Sequence, residues 1–361
     1  MVGLRFSAGS TSSGNSITAF VALTVVLVFS STMTGDLIAR LKKAPILCDG
    51  AMGTLLYSKG VFINRCYDEL NLSQPDLIRG IHHEYLQAGA EIIETNTFGG
   101  NAVRLARHGL ADRVGEISEA GARIAKDAAK SFDVWVAGSV GPMGIRIEPL
   151  GKMSREEARD IFRQQITALV RGGVDLIMLE TFGYLEELHQ AVLACREVDP
   201  KLPVVAQVTI DEDGNCLDGS DTETFTQRIT DWGVEVIGCN CSVGPVAMLD
   251  AVERVRSSTS LPLSAQPNAG VPRSVEGRNI YLCSPEYMAS YARKFVAAGV
   301  RLIGGCCGTT PEHIRAMKSA LRVGEARVKT SQPASTHVAS VRTSDPELPL
   351  ARRSNLGAKL A

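Results

Sequence analysis

The amino-acid sequence predicts an α/β protein built as a single-domain (β/α)8 TIM barrel. One pattern recurs along the chain: a polar, helix-like stretch ends at a glycine, and a short apolar run follows it. These runs are apolar on both faces, as expected for strands of a parallel sheet that is buried on both sides. Eight alternating strand and helix units within ~280 residues are typical of a barrel. The alternative is an open doubly wound sheet, which the absence of a G-x-G-x-x-G motif after the first strand disfavours.

The predicted strands are marked by glycines that suit the left-handed position after a helix. These glycines are Gly89, Gly173, Gly233 and Gly299, and they precede the second, fourth, sixth and eighth strands. The eight predicted strands lie within 46–49, 90–98, 134–138, 174–182, 204–210, 234–242, 261–266 and 300–308.

Helix starts are indicated by capping residues. Ser154 and Glu157 form a capping box before a helix-like stretch. Ser284 and Thr310 each stand before a proline, which is favoured in the first helical turn.

The chain divides into three predicted segments. Residues 1–32 are predicted to be disordered, as either a non-native start or a targeting-like segment, with an apolar run at 17–29. Residues 33–322 form the barrel. Residues 323–361 are rich in Ser, Thr, Pro and Ala, and they are predicted to be a disordered linker followed by the stub of a missing domain.

Composition excludes several classes of protein. Lys and Arg number 38 and Asp and Glu number 39, so the chain lacks the basic excess of a nucleic-acid-binding protein. The apolar run at 17–29 is too short to span a bilayer comfortably, and no membrane partner is expected. Nine irregularly spaced cysteines argue against a secreted disulfide scaffold and favour reduced thiols in the cytoplasm.

Polar and sulfur-bearing residues stand where the predicted strands end, which is where a barrel carries its functional residues. These residues are Asp49 and Gly50 within 49–54 after the first strand, Glu94 within 94–98 in the second, Glu180 and Thr181 in the fourth, Asn240 and Cys241 in the sixth, and Cys306, Cys307 and Gly308 in the eighth. A buried carboxylate such as Glu180 needs a partner, which is either a substrate ammonium group or an internal ion pair.

Three cysteines near one barrel mouth, with a free fourth position, describe a catalytic zinc site. Cys306 and Cys307 can reach one metal only where the strand has ended, and Gly308 supplies a turn there. Cys239 and Cys241 share a strand face, so periodicity does not decide between them, although Cys241 lies closer to the mouth. A vicinal disulfide or a redox pair is the alternative for Cys306 and Cys307.

Six motifs together resemble the homocysteine S-methyltransferase family. They are DGAMGT at 49–54, ETNTF at 94–98, GPMG at 141–144, ETF at 180–182, GCNCSVGP at 238–245 and GGCCGTTPEHI at 304–314. The likeness extends to the N-terminal domain of bifunctional homocysteine S-methyltransferase/methylenetetrahydrofolate reductase proteins and of cobalamin-dependent methionine synthase. A following reductase domain or a cobalamin or folate module is therefore an expected partner.

The resemblance implies Zn²⁺ on Cys241, Cys306 and Cys307, with Asp49, Gly50 and Glu180 around the amino-acid part of homocysteine. It implies transfer of a methyl group to the zinc-bound homocysteine thiolate, giving methionine. The methyl donor is not readable from the sequence; a betaine is disfavoured because few aromatic residues stand at strand ends. The alternative function is a non-catalytic or donor-dependent homocysteine-binding module. A zinc hydrolase or aldolase is disfavoured because no histidine stands at a predicted strand end.

Overall fold

The computed structural model describes residues 37–275 and 278–330. The predicted leader at 1–32 and the part of the predicted linker and stub beyond residue 330 lie outside the described residues. Ten strands occur in the described part of the chain: β1 Ile46–Leu47, β2 Ile92–Glu94, β3 Trp135–Val140, β4 Leu176–Phe182, β5 Val204–Val208, β6 Val236–Asn240, β7 Leu263–Gln266, β8 Arg273–Val275, β9 Arg278–Ile280 and β10 Val300–Ile303.

Eight of these strands form one parallel sheet in the order β1-β10-β7-β6-β5-β4-β3-β2. The first and last strands of this order are joined by a parallel bridge between Cys48 and Ile92. Two backbone hydrogen bonds strengthen the junction, from Glu91 N to Leu47 O (2.7 Å) and from Asp49 N to Ile92 O (3.0 Å). The predicted (β/α)8 barrel is confirmed.

Helices surround the sheet. Within the described residues they are α1 Leu37–Lys43, α2 Gly53–Ser58, α3 Leu70–Ser73, α4 Pro75–Ala88, α5 Ala102–Ala106, α6 Val114–Ala129, α7 Arg155–Gly172, α8 Leu185–Val198, α9 Thr222–Asp231, α10 Pro245–Ser258, α11 Pro285–Ala297 and α12 Pro311–Thr330, with a 3₁₀ turn at Ala111–Arg113. None of the helices in this part of the chain is long and apolar enough to cross a membrane.

Both faces of the sheet are buried, because alternate residues of each strand enter two different apolar clusters. The larger cluster packs strand residues such as Ile93 and Ile177 against the surrounding helices. The second cluster joins their strand neighbours Ile92 and Met178 with Leu41 of α1. Since side chains alternate along a strand, the second cluster is the interior of the barrel.

The capping residues that the sequence indicated occupy the expected places. Ser154 and Glu157 form the predicted capping box at the start of α7, and Ser284 caps α11. Gly89 and Gly173 directly follow α4 and α7 with φ of 103° and 92°. These left-handed residues end each helix and turn the chain into the next strand.

One feature was not indicated by the sequence. The chain between β7 and β10 contains the antiparallel strands β8 and β9, which the apolar pattern did not indicate because their residues are largely polar.

We expect opposite stability effects from one substitution at two helical glycines. A Cβ on Gly172 would lie 2.3 Å from Ala122 Cβ, where α7 packs on α6, whereas a Cβ on Gly80 would meet nothing within 4 Å. Gly172→Ala should therefore lower the free energy of unfolding by about 1–3 kcal/mol. Gly80→Ala should raise it by about 0.5–1 kcal/mol. Urea unfolding of both variants checks this, and equal effects would contradict the packing of α6 on α7.

Candidate functional site

A cavity of about 620 Å³ opens at the carboxyl ends of the barrel strands. The six residues that the sequence assigns to the metal and substrate sites all line it: Asp49, Gly50, Glu180, Cys241, Cys306 and Cys307. They come from four different strand ends, and ring closure brings them together.

Three cysteines form a compact sulfur cluster on one side of the cavity. The Sγ atoms of Cys241, Cys306 and Cys307 all lie within 4.8 Å of one another, and those of Cys241 and Cys307 are 3.8 Å apart. Within this cluster, hydrogen bonds with Cys241 and Cys306 lower the pKa of the Cys307 thiol, whereas the pKa values of the Cys241 and Cys306 thiols are raised. Converging sulfurs of this kind can hold a soft metal ion.

The backbone explains how these sulfurs converge. Cys241 and Ser242 both have positive φ, 59° and 62°, so the chain turns sharply as β6 ends. Cys306 lies beyond the end of β10, and its amide donates to Pro267 O (2.9 Å). Gly308 has φ of 82°, as the turn predicted after the cysteine pair requires. Adjacent Cys306 and Cys307 thus reach one point because neither is in a regular strand.

Cys239 does not join the sulfur cluster. Its side chain is fully buried in the apolar layer between the sheet and the helices. Burial raises the pKa of its thiol to about 12. The structure therefore places Cys241 in the cavity and Cys239 outside it, although both lie near the end of β6.

A second cluster, of three carboxyl groups, lines the same cavity at the ends of β1, β2 and β4. It consists of Asp49, Glu94 and Glu180. Burial, followed by the charge of Glu94, raises the pKa of Asp49 and of Glu180 well above the usual range. Burial also raises the pKa of Glu94. Carboxyl groups gathered in this way favour a cationic ligand group.

Each member of the carboxyl cluster is held by a neutral donor. The Glu94 amide donates to Asp49 Oδ2 (2.9 Å), and Gln266 Nε2 donates to Glu94 Oε1 (2.7 Å). Ser139 Oγ donates to Glu180 Oε1. Asp49 Oδ1 is buried and has no hydrogen-bond partner.

Gly50 lies where the chain passes closest to the loop after β10. A Cβ at this position would be 2.6 Å from Thr309 Oγ1 and 3.1 Å from the Tyr85 ring. The same Thr309 hydroxyl accepts from the Ala51 amide (3.1 Å). A side chain at residue 50 would therefore push apart the segments that carry Asp49 and the cysteine pair.

Asn240, which the sequence placed at a strand end without a role, connects the two clusters. Its Oδ1 accepts from the Thr181 amide (2.6 Å), and its Nδ2 donates to Thr181 Oγ1 (2.8 Å). Thr181 has a positive φ of 65°, so Asn240 holds a strained turn beside Glu180. Asn240 Nδ2 also lies 3.3 Å from Glu180 Oε2 and 3.9 Å from Cys306 Sγ.

The sequence placed Glu94 at a strand end without a role, and Gln266 was missed, although strand alternation puts both in one layer. Ile92 belongs to the barrel interior, so Glu94, two residues later, faces the same way one layer higher. Gln266 follows Ser264 by the same rule, and Gln207 Nε2 donates to its Oε1 (2.6 Å). Counting by two along each predicted strand would have revealed this polar layer.

The outer part of the cavity is basic. Arg65, Arg104, Arg107 and His108 line it, and Asp68 is the acidic residue beside them. The Arg104 guanidinium lies over the Phe98 ring, 5.1 Å from its centroid, and its Nε donates to Pro142 O (2.6 Å). The cavity thus has an acidic interior and a cationic entrance.

The chain that forms this cavity matches a known protein family. The family model for homocysteine S-methyltransferases matches residues 46–321, which is most of the chain. The chain belongs to the homocysteine S-methyltransferase family. Its carboxyl and sulfur clusters therefore lie in the barrel mouth of a member of a methyltransferase family.

Similar proteins from two mycobacteria are methionine synthases. The chain is 32% identical over 335 residues to that of Mycobacterium leprae (strain TN), an alignment that covers 88% of this chain and 28% of the relative. It is 34% identical over 302 residues to that of Mycobacterium tuberculosis (strain ATCC 25618 / H37Rv), with 79% and 25% covered. The chain spans about a quarter of the length of these two methionine synthases.

Solved structures of the homocysteine methyltransferase MmuM from Escherichia coli share the fold. The metallated form matches with a TM-score of 0.68 at 26% identity and covers 78% of this chain and 98% of that one. The oxidized form matches with a TM-score of 0.67, also at 26% identity, covering 76% and 95%.

The placement of the two cysteines at the end of β6 predicts a difference in reactivity. After treatment with a chelator, native protein exposed to iodoacetamide should be alkylated at Cys241, which lines the cavity. Cys239 should stay unmodified until urea is added, because its side chain is fully buried and the reagent cannot reach it. Peptide mass spectrometry measures both sites in one sample. Equal labelling of both cysteines in the native state would contradict this placement.

Proposed function

We propose that this chain is a zinc-dependent homocysteine S-methyltransferase, which transfers a methyl group to the sulfur of homocysteine and forms methionine. The observation that carries the proposal is the pairing of a three-cysteine cluster with a three-carboxyl cluster in one cavity of a family member. Homocysteine has a thiol at one end and an ammonium group at the other, so it matches both clusters.

The sulfur cluster fits zinc. A tetrahedral ion with Zn–S bonds of ~2.3 Å separates two sulfur ligands by about 3.8 Å. The Sγ atoms of Cys241 and Cys307 are already 3.8 Å apart. Cys306 completes a set of three, which suits a catalytic ion with one further position, whereas a structural site uses four protein ligands. When bound, zinc would supply a Lewis acid that favours the thiolate form of a neighbouring thiol at neutral pH.

The chain itself holds the rest of the substrate. Asp49 and Glu180 bind its ammonium group, and Asp49 Oδ1 has no other partner. Residues 50–53 line the cavity, and the substrate's carboxylate is assigned to backbone amides there other than that of Ala51, which donates to Thr309. With both charged groups fixed, the sulfur is directed toward the cysteine cluster. Fixing the sulfur in line with the donor methyl group supplies a large part of the rate acceleration.

The charge of the cavity entrance indicates which class of methyl donor the site favours. Arg65, Arg107 and His108 line the outer cavity, and the Phe98 face is covered by Arg104. A betaine or sulfonium donor needs an uncovered aromatic face or an acidic partner for its positive charge. We therefore favour a donor that carries acidic groups, such as a methylated folate or the phosphate-bearing methylcobalamin.

A second function has one specific observation behind it. The chain spans about a quarter of the length of the two methionine synthases. A chain of this extent would serve as the homocysteine-binding module of a larger protein, with the methyl group delivered by another module. The two possibilities share the site and differ only in the source of the methyl group.

The assignment of the zinc ligands predicts which cysteine variants lose zinc. Purified protein should bind about one zinc per chain, and Cys241→Ser should lose most of it, because removing one of three ligands leaves an incomplete site. Cys239→Ser is the matched control and should retain full zinc, which elemental analysis measures. Loss of zinc from the control with retention in Cys241→Ser would show that the ligand set is wrong.

Methyl transfer tests the function directly. Zinc-loaded protein is mixed with homocysteine and, in turn, a methylated folate, methylcobalamin, S-methylmethionine, S-adenosylmethionine and betaine, and methionine is measured. We expect methionine from an acidic donor, and we expect Glu180→Gln to raise KM for homocysteine about 10- to 100-fold by loss of a charged hydrogen bond. Homocysteine binding without turnover of any free donor would favour the module. Absence of homocysteine binding by calorimetry would overturn the proposed function.

A further inference from the structure

The GPMG segment at 141–144 follows β3 and lies behind residues of the cavity wall, although none of its own residues lines the cavity. Gly141 leaves room for an aromatic ring, because a Cβ at this position would be 2.3 Å from Phe98 Cε2. The Met143 amide donates to Glu187 Oε1 (2.7 Å), which ties the segment to α8. The GPMG segment is therefore a fixed piece of backbone beside the entrance.

Two arginine side chains lie against this segment. Arg104 in α5 and Arg107, which directly follows α5, are three residues apart, so they project from the same side of the chain. Arg104 Nε donates to Pro142 O (2.6 Å), and Arg107 Nη2 donates to Gly144 O (3.3 Å). Both arginines also line the outer cavity. The GPMG segment thus holds two guanidinium groups side by side at the entrance.

The side of Gly144 that lacks a side chain faces both guanidinium groups. A Cβ at this position would lie 3.4 Å from Arg107 Nη2 and 3.7 Å from Arg104 Nη2, and no residue beyond the chain neighbours of Gly144 would be closer. Gly144 has φ of 77°, a conformation that favours glycine. A small space therefore remains open in front of Gly144, where an oxygen atom could accept hydrogen bonds from both arginines.

Most N–H groups of the two arginines have no partner within the protein. Each arginine makes one hydrogen bond, and neither guanidinium forms a salt bridge with any described residue. The nearby carboxylates Asp68 and Glu187 each accept a backbone N–H instead. Burial lowers the pKa of Arg104, and the charge of Arg107 adds to this effect, while Asp68 and Glu187 oppose it. Adjacent guanidinium groups of this kind suit the paired oxygens of a carboxylate or phosphate.

We propose that Arg104 and Arg107 form an anion clamp, which binds one carboxylate or phosphate group of the methyl donor in front of Gly144. Among the other arginines that line the cavity, Arg65 is salt-bridged to Glu69 (3.4 Å) and is not part of the clamp. The clamp determines specificity for the donor and has no role in holding homocysteine. The inference rests on the proposed function in one respect, that the bound anion belongs to a methyl donor.

Inorganic phosphate is a probe of the anion clamp that requires no turnover. Phosphorus NMR at low ionic strength should detect phosphate binding to the zinc-loaded protein, and added salt should weaken it by screening exposed charges. Arg104→Gln and Arg107→Gln should each weaken binding by about 10-fold or more, because each removes charged hydrogen bonds. Arg107→Lys keeps the charge but not the planar fork, so it should lose less than Arg107→Gln.

Arg113→Gln is the matched control for the loss of one positive charge. Arg113 belongs to the 3₁₀ turn that packs against α5, is salt-bridged to Glu116 (2.8 Å), and does not line the cavity. This variant should bind phosphate as the wild type does, and melting temperatures confirm that each variant is folded. Absence of phosphate binding by the wild type overturns the anion clamp. An equal loss in Arg113→Gln and Arg107→Gln overturns it as well.

Pairs of donors that differ in their acidic group identify the source of the anion. A methylated folate is compared with the same compound lacking its glutamate, and methylcobalamin is compared with methylcobinamide, which lacks the phosphate. Arg107→Gln should raise KM about 10-fold for the acidic member of the pair that the enzyme uses. It should leave KM for the other member, and Kd for homocysteine, unchanged. An equal rise in KM for both members overturns the anion clamp. If no donor yields methionine, the proposed function fails instead, and the phosphate titration still decides whether the clamp exists.

Discussion

Closure of the sheet between β1 and β2 is the constraint on which the site depends. The hydrogen bonds of Asp49 N to Ile92 O and of Glu91 N to Leu47 O join two strands that would otherwise be opposite edges of the sheet. Closure places Asp49 beside Glu94, while the pairing of β1 with β10 brings the loop after β10 next to Gly50. An open sheet with the same sequence would leave the carboxyl groups of β1 and β2 far apart.

Closure also concentrates negative charge. Three carboxyl groups and three thiols line one cavity, and the basic residues lie in its outer part. Such a cluster is stable only when its groups keep their protons or when cations replace those protons. A metal ion at the sulfurs and an ammonium group at the carboxyls are the two replacements that the geometry accommodates. The same electrostatic requirement thus accounts for both halves of the proposed substrate site.

Backbone strain is concentrated where the two clusters meet. Thr181, Cys241 and Ser242 are the non-glycine residues with positive φ in the described part of the chain. Asn240 anchors one of them through two hydrogen bonds to Thr181 and also approaches Glu180 and Cys306. Strain of this kind persists only where surrounding bonds enforce it, and here it turns side chains into the cavity.

The sequence by itself determined the barrel, because glycine caps and two-sided apolar strands are local patterns that hold wherever the strands are placed. It also determined which residues stand at strand ends, including Asp49, Glu180 and Cys306. The tertiary structure alone decided that Cys241 joins the sulfur cluster while Cys239 packs outside, since a left-handed turn at Cys241 overrides strand periodicity. It alone showed the hydrogen bond from the Glu94 amide to Asp49, because residues distant in sequence meet only when the ring closes.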